Sequence, residues 1–426
     1  MKRSPWSSTP GEPARGSICG TARVSLASFL AMVAASPCAR AQGIETIVLE
    51  GDVLPGIGTV QRINGMAVSD TGEVLVHVIT DNPILEEDAA MIDRHGMVAV
   101  RESDALAEPP GAVISHFAGG EIAMNGAGTP AFLIGFTGAT GPGTNGLYVG
   151  VPPVLALREK STVTATGVPA GWFYDFLLAA VVNSAEELAF SARIEETSTG
   201  NEHLAIFRMS TVTGTVETVV QVGDTLPKQS DPVTGLAIDA HEYSINDAGQ
   251  VFYSIQTSAA VGRNNALYID DTRVAQEGDP SPIGGVYATL SQLNMNNVGT
   301  HVFICSSGAI DGIVRNDEAF VETGQTLPGM EPYVIDQFGQ PIFIGDNGRV
   351  LWLAVWAAPG QPESVALHAD YSVLVQEGAT SLEGLVVEDL TALDRSCAMS
   401  ANGRYVVFEA ILAGGIEGAF LVDLGA

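Results

Sequence analysis

An all-β fold, a seven-bladed β-propeller with four strands per blade, is what this sequence predicts, and three observations predict it. One short pattern, Asn-x-x-Gly-x-x-x-aromatic, recurs seven times. Successive copies start 49 to 63 residues apart, the period of a unit that holds several strands. A second pattern, Gly-Asp-x-Leu-Pro, alternates with the first.

The clearest copies of the first pattern run Asn125–Phe132, Asn246–Tyr253 and Asn296–Phe303, and weaker ones begin at Ser69, Asn183, Gly345 and Ser400. Their fourth position is Gly72, Gly128, Gly249, Gly299, Gly348 and Gly403, with Glu186 in the third copy. A glycine there implies positive φ in a bulged hairpin. The Asn or Ser three residues earlier is placed to bond its own turn backbone. Apolar runs follow, such as Val74-Leu75-Val76, Val251-Phe252-Tyr253 and Val350-Leu351-Trp352. They suit a strand buried on both faces. The eighth position is aromatic in five copies and is expected to fill the space between blades. These residues are scaffold.

The second pattern reads Gly51-Asp52-Val53-Leu54-Pro55, Gly223-Asp224-Thr225-Leu226-Pro227, Gly278-Asp279-Pro280 and Gly324-Gln325-Thr326-Leu327-Pro328. Eroded versions stand at Ser103-Asp104, Lys160-Ser161 and Gly378-Ala379-Thr380. Gly and Pro end an outer strand and carry the chain to the next blade. The Asp is expected to cap local N–H groups rather than to bind calcium. Apolar segments such as Leu147-Tyr148-Val149 and Ala266-Leu267-Tyr268 supply a third strand. The seventh unit then runs out at 419–424 with no outer strand of its own, so Ile44–Leu49 is expected to supply it and clasp the ring.

Residues 1–41 read as a secretory signal. Lys2, Arg3, Arg15 and Arg23 precede the apolar run 24–35, and Ala39-Arg40-Ala41 offers a cleavage site. The run is too short to span a membrane. Pro37 ahead of Cys38 argues against lipidation. Export to the periplasm or the medium is the expectation, with residues 42–426 forming one propeller domain, since blades do not fold alone. The whole chain has 19 basic and 49 acidic residues; residues 1–41 hold five and one, which leaves 14 against 48, or −34. That charge opposes nucleic acid and anionic membranes. It permits cationic partners, and a monomer is expected. Cys305 and Cys397 lie in non-adjacent units and are expected to be free thiols.

The Asn-x-x-Gly-x-x-x-Phe spacing, in phase with Gly-Asp-x-Leu-Pro over residues 44–424, resembles the tandem NxxGxxxF repeat family of exported bacterial proteins. The resemblance implies an extracellular or envelope setting and no defined chemistry. Many of those proteins carry a C-terminal surface anchor, which this sequence does not show.

No phosphate loop, dinucleotide fingerprint, HExxH, EF-hand, paired CxxC or GxSxG motif occurs, and the seven histidines form no i,i+2 or i,i+4 pair. Neither a cofactor nor a metal is expected. Propellers bind ligands at one mouth of the channel, on the segments entering the inner strands. There the sequence offers Arg62, His116, Trp172 with Tyr174 and Asp175, Asp239 with His241 and Glu242, Asp336, and Asp394 with Arg395. Two readings follow. One is a non-catalytic module that binds an envelope protein, a glycan or a cation. The alternative is a glycoside hydrolase or polysaccharide lyase, in which carboxylates at the mouth perform acid–base work.

Overall fold

In the computed structural model the described residues are 43–84, 87–239, 242–390 and 397–425. The signal-like segment therefore lies outside them. No α-helix occurs among the described residues; the strands form seven small antiparallel sheets, one per repeat. Blade 3 shows the pattern plainly. Its inner strand Trp172–Val182, second strand Glu187–Glu196, third strand Glu202–Ser210 and outer strand Val216–Gln221 pair in that order. In blades 4, 6 and 7 the inner strand is broken in two, as in Val233–Leu236 and Tyr243–Ile245. Blade 7 is completed by Ile44–Leu49, which pairs antiparallel with Ile416–Asp423. Glu45 of the clasp also accepts hydrogen bonds from Nε and Nη2 of Arg94 in blade 1, at 2.5–3.2 Å. The strand that ends one blade is thereby tied to the next.

Seven apolar clusters fill the seven gaps between blades. The eighth motif position points into the gap toward the preceding blade. Phe132, Phe190, Tyr253, Phe303 and Trp352 are all buried there. Blade 7 keeps the rule after a one-residue extension. The Ser400 hydroxyl accepts the N–H of Tyr405, one residue further on than in the other turns, and Phe408 takes the aromatic place.

The motif turn does more than reverse the chain. Each Asn Oδ1 accepts the N–H four residues on, as in Asn125–Thr129 (2.8 Å), Asn183–Glu187 (2.8 Å), Asn246–Gln250 (2.9 Å) and Asn296–Thr300 (2.8 Å). The amide nitrogen then reaches the next blade. Asn125 Nδ2 donates to the Asn183 carbonyl at 3.0 Å, Asn183 to that of Asn246 at 2.7 Å, and Asn296 to that of Gly345 at 2.9 Å. The following motif residue continues the circuit. The Asp247 N–H donates to Asn297 Oδ1 and the Asn297 N–H to Asp346 Oδ1. The Asp346 N–H donates to the Ala401 carbonyl, the Asn402 N–H to Asp70 Oδ1, and the Asp70 N–H to the Gly126 carbonyl. These bonds close a circle through all seven turns. Asn suits the first position because it accepts and donates at once. The sixth copy begins with Gly345 because a Cβ there would sit 2.4 Å from Gly403 Cα.

The crossovers repeat conformation more faithfully than sequence. Gly51, Gly223, Gly278, Gly324 and Gly378 have positive φ, and so do Ser103 (66°) and Lys160 (61°) in the eroded copies. Asp52, Asp104 and Asp224 each cap the N–H three residues back, at 2.8, 3.0 and 2.9 Å. Two carboxylates, the buried Glu159 and the half-buried Glu377, bridge blades at this end. Glu159 accepts from Asn145 Nδ2 and the Leu177 N–H, and Glu377 from the N–H groups of Val365 and Leu390. Cys305 and Cys397 are buried free thiols.

Two outcomes follow. Deleting residues 43–49 should lower Tm on the order of 10 °C, since the buried Ile47 and Val48 and six strand residues are lost together; an unchanged calorimetric melt would rule out the clasp. Glu186 is exposed and stands at φ 61° where six copies have glycine. Glu186→Gly should therefore stabilise by about 1 kcal/mol, and a lowered urea midpoint would contradict this account of the turn.

Candidate functional site

The end of the channel opposite the motif turns is the crossover mouth, and every inner strand is irregular there. Its register slips between Val60 and Arg62, Ile114 and His116, Tyr174 and Phe176, Val233 and Gly235, Ser291 and Leu293, Ile335 and Gln337, and Val387 and Asp389. A bulge re-aims the extra side chain away from the plain alternation of a strand. In blade 3 the extra residue is Asp175.

Asp175 is buried and holds two cations. Lys160, from the crossover before blade 3, and Arg193, from its second strand, both pair with it; Arg193 Nε lies 2.7 Å from Oδ2. Burial opposes ionisation, but the hydrogen bonds from Lys160 and Arg193 outweigh it and hold the carboxyl below its usual range. Glu195 and Glu202 face each other across the second and third strands beside this network. Lys160 lies over the Phe173 ring at 4.9 Å and Arg193 over Phe176 at 5.6 Å. Phe176 is 47 % exposed. Trp172 packs on His203 with ring centres 5.0 Å apart. Aromatic faces and charges thus converge on the rim of blade 3.

The other sequence candidates do not join them. Tyr174 is a correction: it lies on the strand face opposite Asp175, the face it shares with Trp172, and is buried deeper along it against Phe190 and Phe207 in the core. His116 is exposed in blade 2, beside the Ser115 hydroxyl at 3.0 Å. Asp239 is exposed in blade 4, and Glu242 folds back onto the N–H groups of Ile238 and Asp239. Asp336 is exposed in blade 6. Arg62 stands in blade 1 near the seam with blade 7. His241, Asp394 and Arg395 lie outside the described residues.

Sequence reasoning missed a carboxyl pair at that seam. Glu409 and Glu417 hydrogen-bond each other from the second and third strands of blade 7, and Glu417 Oε1 accepts the Ile63 N–H of blade 1 at 2.5 Å. Burial, then the neighbouring Glu417 carboxylate, pushes Glu409 up to about 8, with Arg62 opposing. Neither residue belongs to a repeat motif, so only their placement reveals them. Toward the motif-turn end the channel holds a cavity of about 170 Å³, lined by Met66, Met124, Val182, Ile245 and Met295, with Asp247 and Asp346 at its rim.

The model of a family of unknown function, DUF7453, matches residues 28–388. The chain belongs to this family. No curated protein matches the sequence. Among solved structures, an oligogalacturonate lyase from Vibrio parahaemolyticus is similar over 90 % of this chain and 98 % of its own, at 9 % identity and TM-score 0.44. TolB from Acinetobacter baumannii is similar over 85 % of this chain and 79 % of its own, at 14 % identity and TM-score 0.35. Resemblances this distant say nothing of chemistry.

The Glu409 proton has a measurable consequence. Between its unfolded value near 4.5 and about 8 the folded state keeps a proton that the unfolded chain has lost. Stability is therefore full below that window and falls as pH rises through it. Glu409→Gln does not titrate, so the wild-type Tm should drop relative to the variant on the order of 5 °C from pH 5 to pH 9. Parallel Tm–pH curves would show that the two carboxyls do not share a proton.

Proposed function

We propose that this protein is an exported, non-catalytic propeller that binds an extracellular or envelope protein or glycan as a monomer, through the blade 3 rim of the crossover mouth. The observation that carries the reading is Phe176. Its ring is half in solvent, yet it is held beside Arg193, which is itself anchored on the buried Asp175. A rigid exposed aromatic flanked by fixed charges loses little freedom on binding, and such residues dominate recognition surfaces. Trp172, packed on His203, stands at the same edge of blade 3 on the opposite face of the strand. The net charge of −34 on residues 42–426 disfavours nucleic acid and anionic membranes as partners. The signal-like residues 1–41 and the resemblance to exported NxxGxxxF repeat proteins support an envelope setting.

The enzyme reading has one observation in its favour, the protonated Glu409 beside the Glu417 carboxyl. Against it, Glu409 is only 4 % exposed and Glu417 is committed to the Ile63 backbone, which leaves the pair little access to a glycosidic bond. New chain ends released from a polysaccharide by the wild type but not by Glu409→Gln would establish that reading instead.

For the binding module, glycan arrays and envelope-protein crosslinking of the wild type identify the ligand. Phe176→Ala should then weaken its retention about tenfold or more, the loss of roughly 2 kcal/mol typical of a central aromatic anchor, without lowering Tm. Undiminished binding by both Phe176→Ala and Trp172→Ala would move recognition away from blade 3.

A further inference from the structure

A second recognition feature lies on blade 4, at the outer edge of the crossover mouth. A cleft of about 360 Å³ is lined by Lys228, Arg263 and Arg273, together with Ser230, Ser258 and Gln276. Residues 42–426 carry only 14 basic side chains, so three in one cleft is a marked concentration. They come from three separate segments: the crossover ahead of blade 4, the hairpin loop after Val251–Thr257, and the outer strand Thr272–Gln276. Proximity in sequence does not explain their meeting.

Lys228 is the telling residue. It follows Leu226-Pro227 at the place where the crossovers into blades 1 and 6 have Gly56 and Gly329. Those glycines have φ of 79° and 76°, and Lys228 adopts 64°. The fold asks for glycine, and this blade holds a lysine in a strained backbone, the kind of outlier that marks functional positions. The strain is braced from below. Arg273 Nη1 donates to the Lys228 carbonyl at 3.1 Å and to Gln276 Oε1 at 2.6 Å. Gln276 is buried and donates to the Arg263 carbonyl at 2.7 Å. The bracing fixes all three backbone segments and leaves the Lys228 ammonium exposed, while the Arg263 guanidinium, 64 % exposed, has one long contact, 4.0 Å to Asp279, and keeps most of its donors toward solvent. Asp279, 3.6 Å from Arg273, and Asp231 at the lip, bonded to Ser230, offset two of the charges and leave the cleft net cationic.

We propose that this cleft binds the anionic group of an acidic sugar residue, a carboxylate or a sulfate. Lys228 and Arg263 supply charge-assisted donors to the anion. The hydroxyls of Ser230 and Ser258 are placed for neutral sugar oxygens, and the small walls of Ala259 and Ala260 leave room for one ring. The inference names a substrate class for the binding-module reading and rests on it, but at a site on a different blade.

Titration calorimetry of the full protein against a uronic-acid oligosaccharide, a sulfated oligosaccharide, a neutral oligosaccharide of equal length and inorganic sulfate provides the test. Binding of one acidic oligosaccharide in preference to the neutral one and to inorganic sulfate is expected, weakening with salt. The preferred probe tells carboxylate from sulfate. Lys228→Gly restores the residue the turn favours, so it should hold or raise Tm while weakening binding tenfold or more, and Arg263→Gln should weaken it similarly. The inference is overturned if neutral and acidic probes bind alike, if inorganic sulfate binds as well as the oligosaccharides, or if both variants bind as the wild type does. Loss of binding in Phe176→Ala with none in Lys228→Gly would overturn the cleft and leave the binding module standing. Cleavage of the bound oligosaccharide would overturn the module and leave the cleft.

Discussion

Everything in this propeller depends on one hydrogen-bonded circle, in which each motif turn hands a proton donor to a neighbouring blade. A blade by itself is a small twisted sheet with two apolar faces and an inner edge of unpaired backbone groups. Packing the faces together buries the side chains, but apolar contact does not fix the angle between blades. The Asn side chains do. Asn183 holds its own turn with one atom and the Asn246 carbonyl with another, so local geometry and ring geometry are set by the same residue. The circle gathers the inner strands around a narrow channel at the turn end. At the opposite mouth the strands are bulged and free to differ, and there the proposed recognition features lie.

The division explains what could be read in advance. Strand order, blade number and the N-terminal clasp were legible because the turns need particular chemistry: a positive φ, an acceptor three residues before it, an apolar run after it. The Asp caps of the crossovers were legible for the same reason. Conformation outlasted sequence where Ser103, Lys160 and Glu186 took backbone angles that glycine would supply more cheaply, which is why those copies read as eroded although the structure repeats.

The site was legible only in part. Trp172 and Asp175 stand out in the sequence because they depart from the repeat at the crossover end of the inner strand. Tyr174 shares a strand face with Trp172 but stands two residues further in, where that face is covered by Phe190 and Phe207, and depth along a strand does not show in its letters. Lys160, Arg193, Glu195 and Glu202 escaped notice because they are spread over the crossover and two strands, and none stands out alone. Glu409 and Glu417 were hidden for a plainer reason: nothing in sequence tells that two acids on neighbouring strands will be buried together instead of facing water.

The clasp also orders events in time. Glu50 accepts a hydrogen bond from the Glu417 N–H, 367 residues away, and strand Ile44–Leu49 has no partner until Ile416–Asp423 exists. The first of the described strands must therefore wait for the last of them. Earlier blades can assemble stepwise as they emerge, each on its predecessor, but the ring remains an open arc throughout. Its final closure is a single long-range event. A chain that crosses a membrane in extended form from its N-terminus would complete that event only on the far side, so the architecture makes an unfinished molecule easy to thread and a finished one hard to unthread.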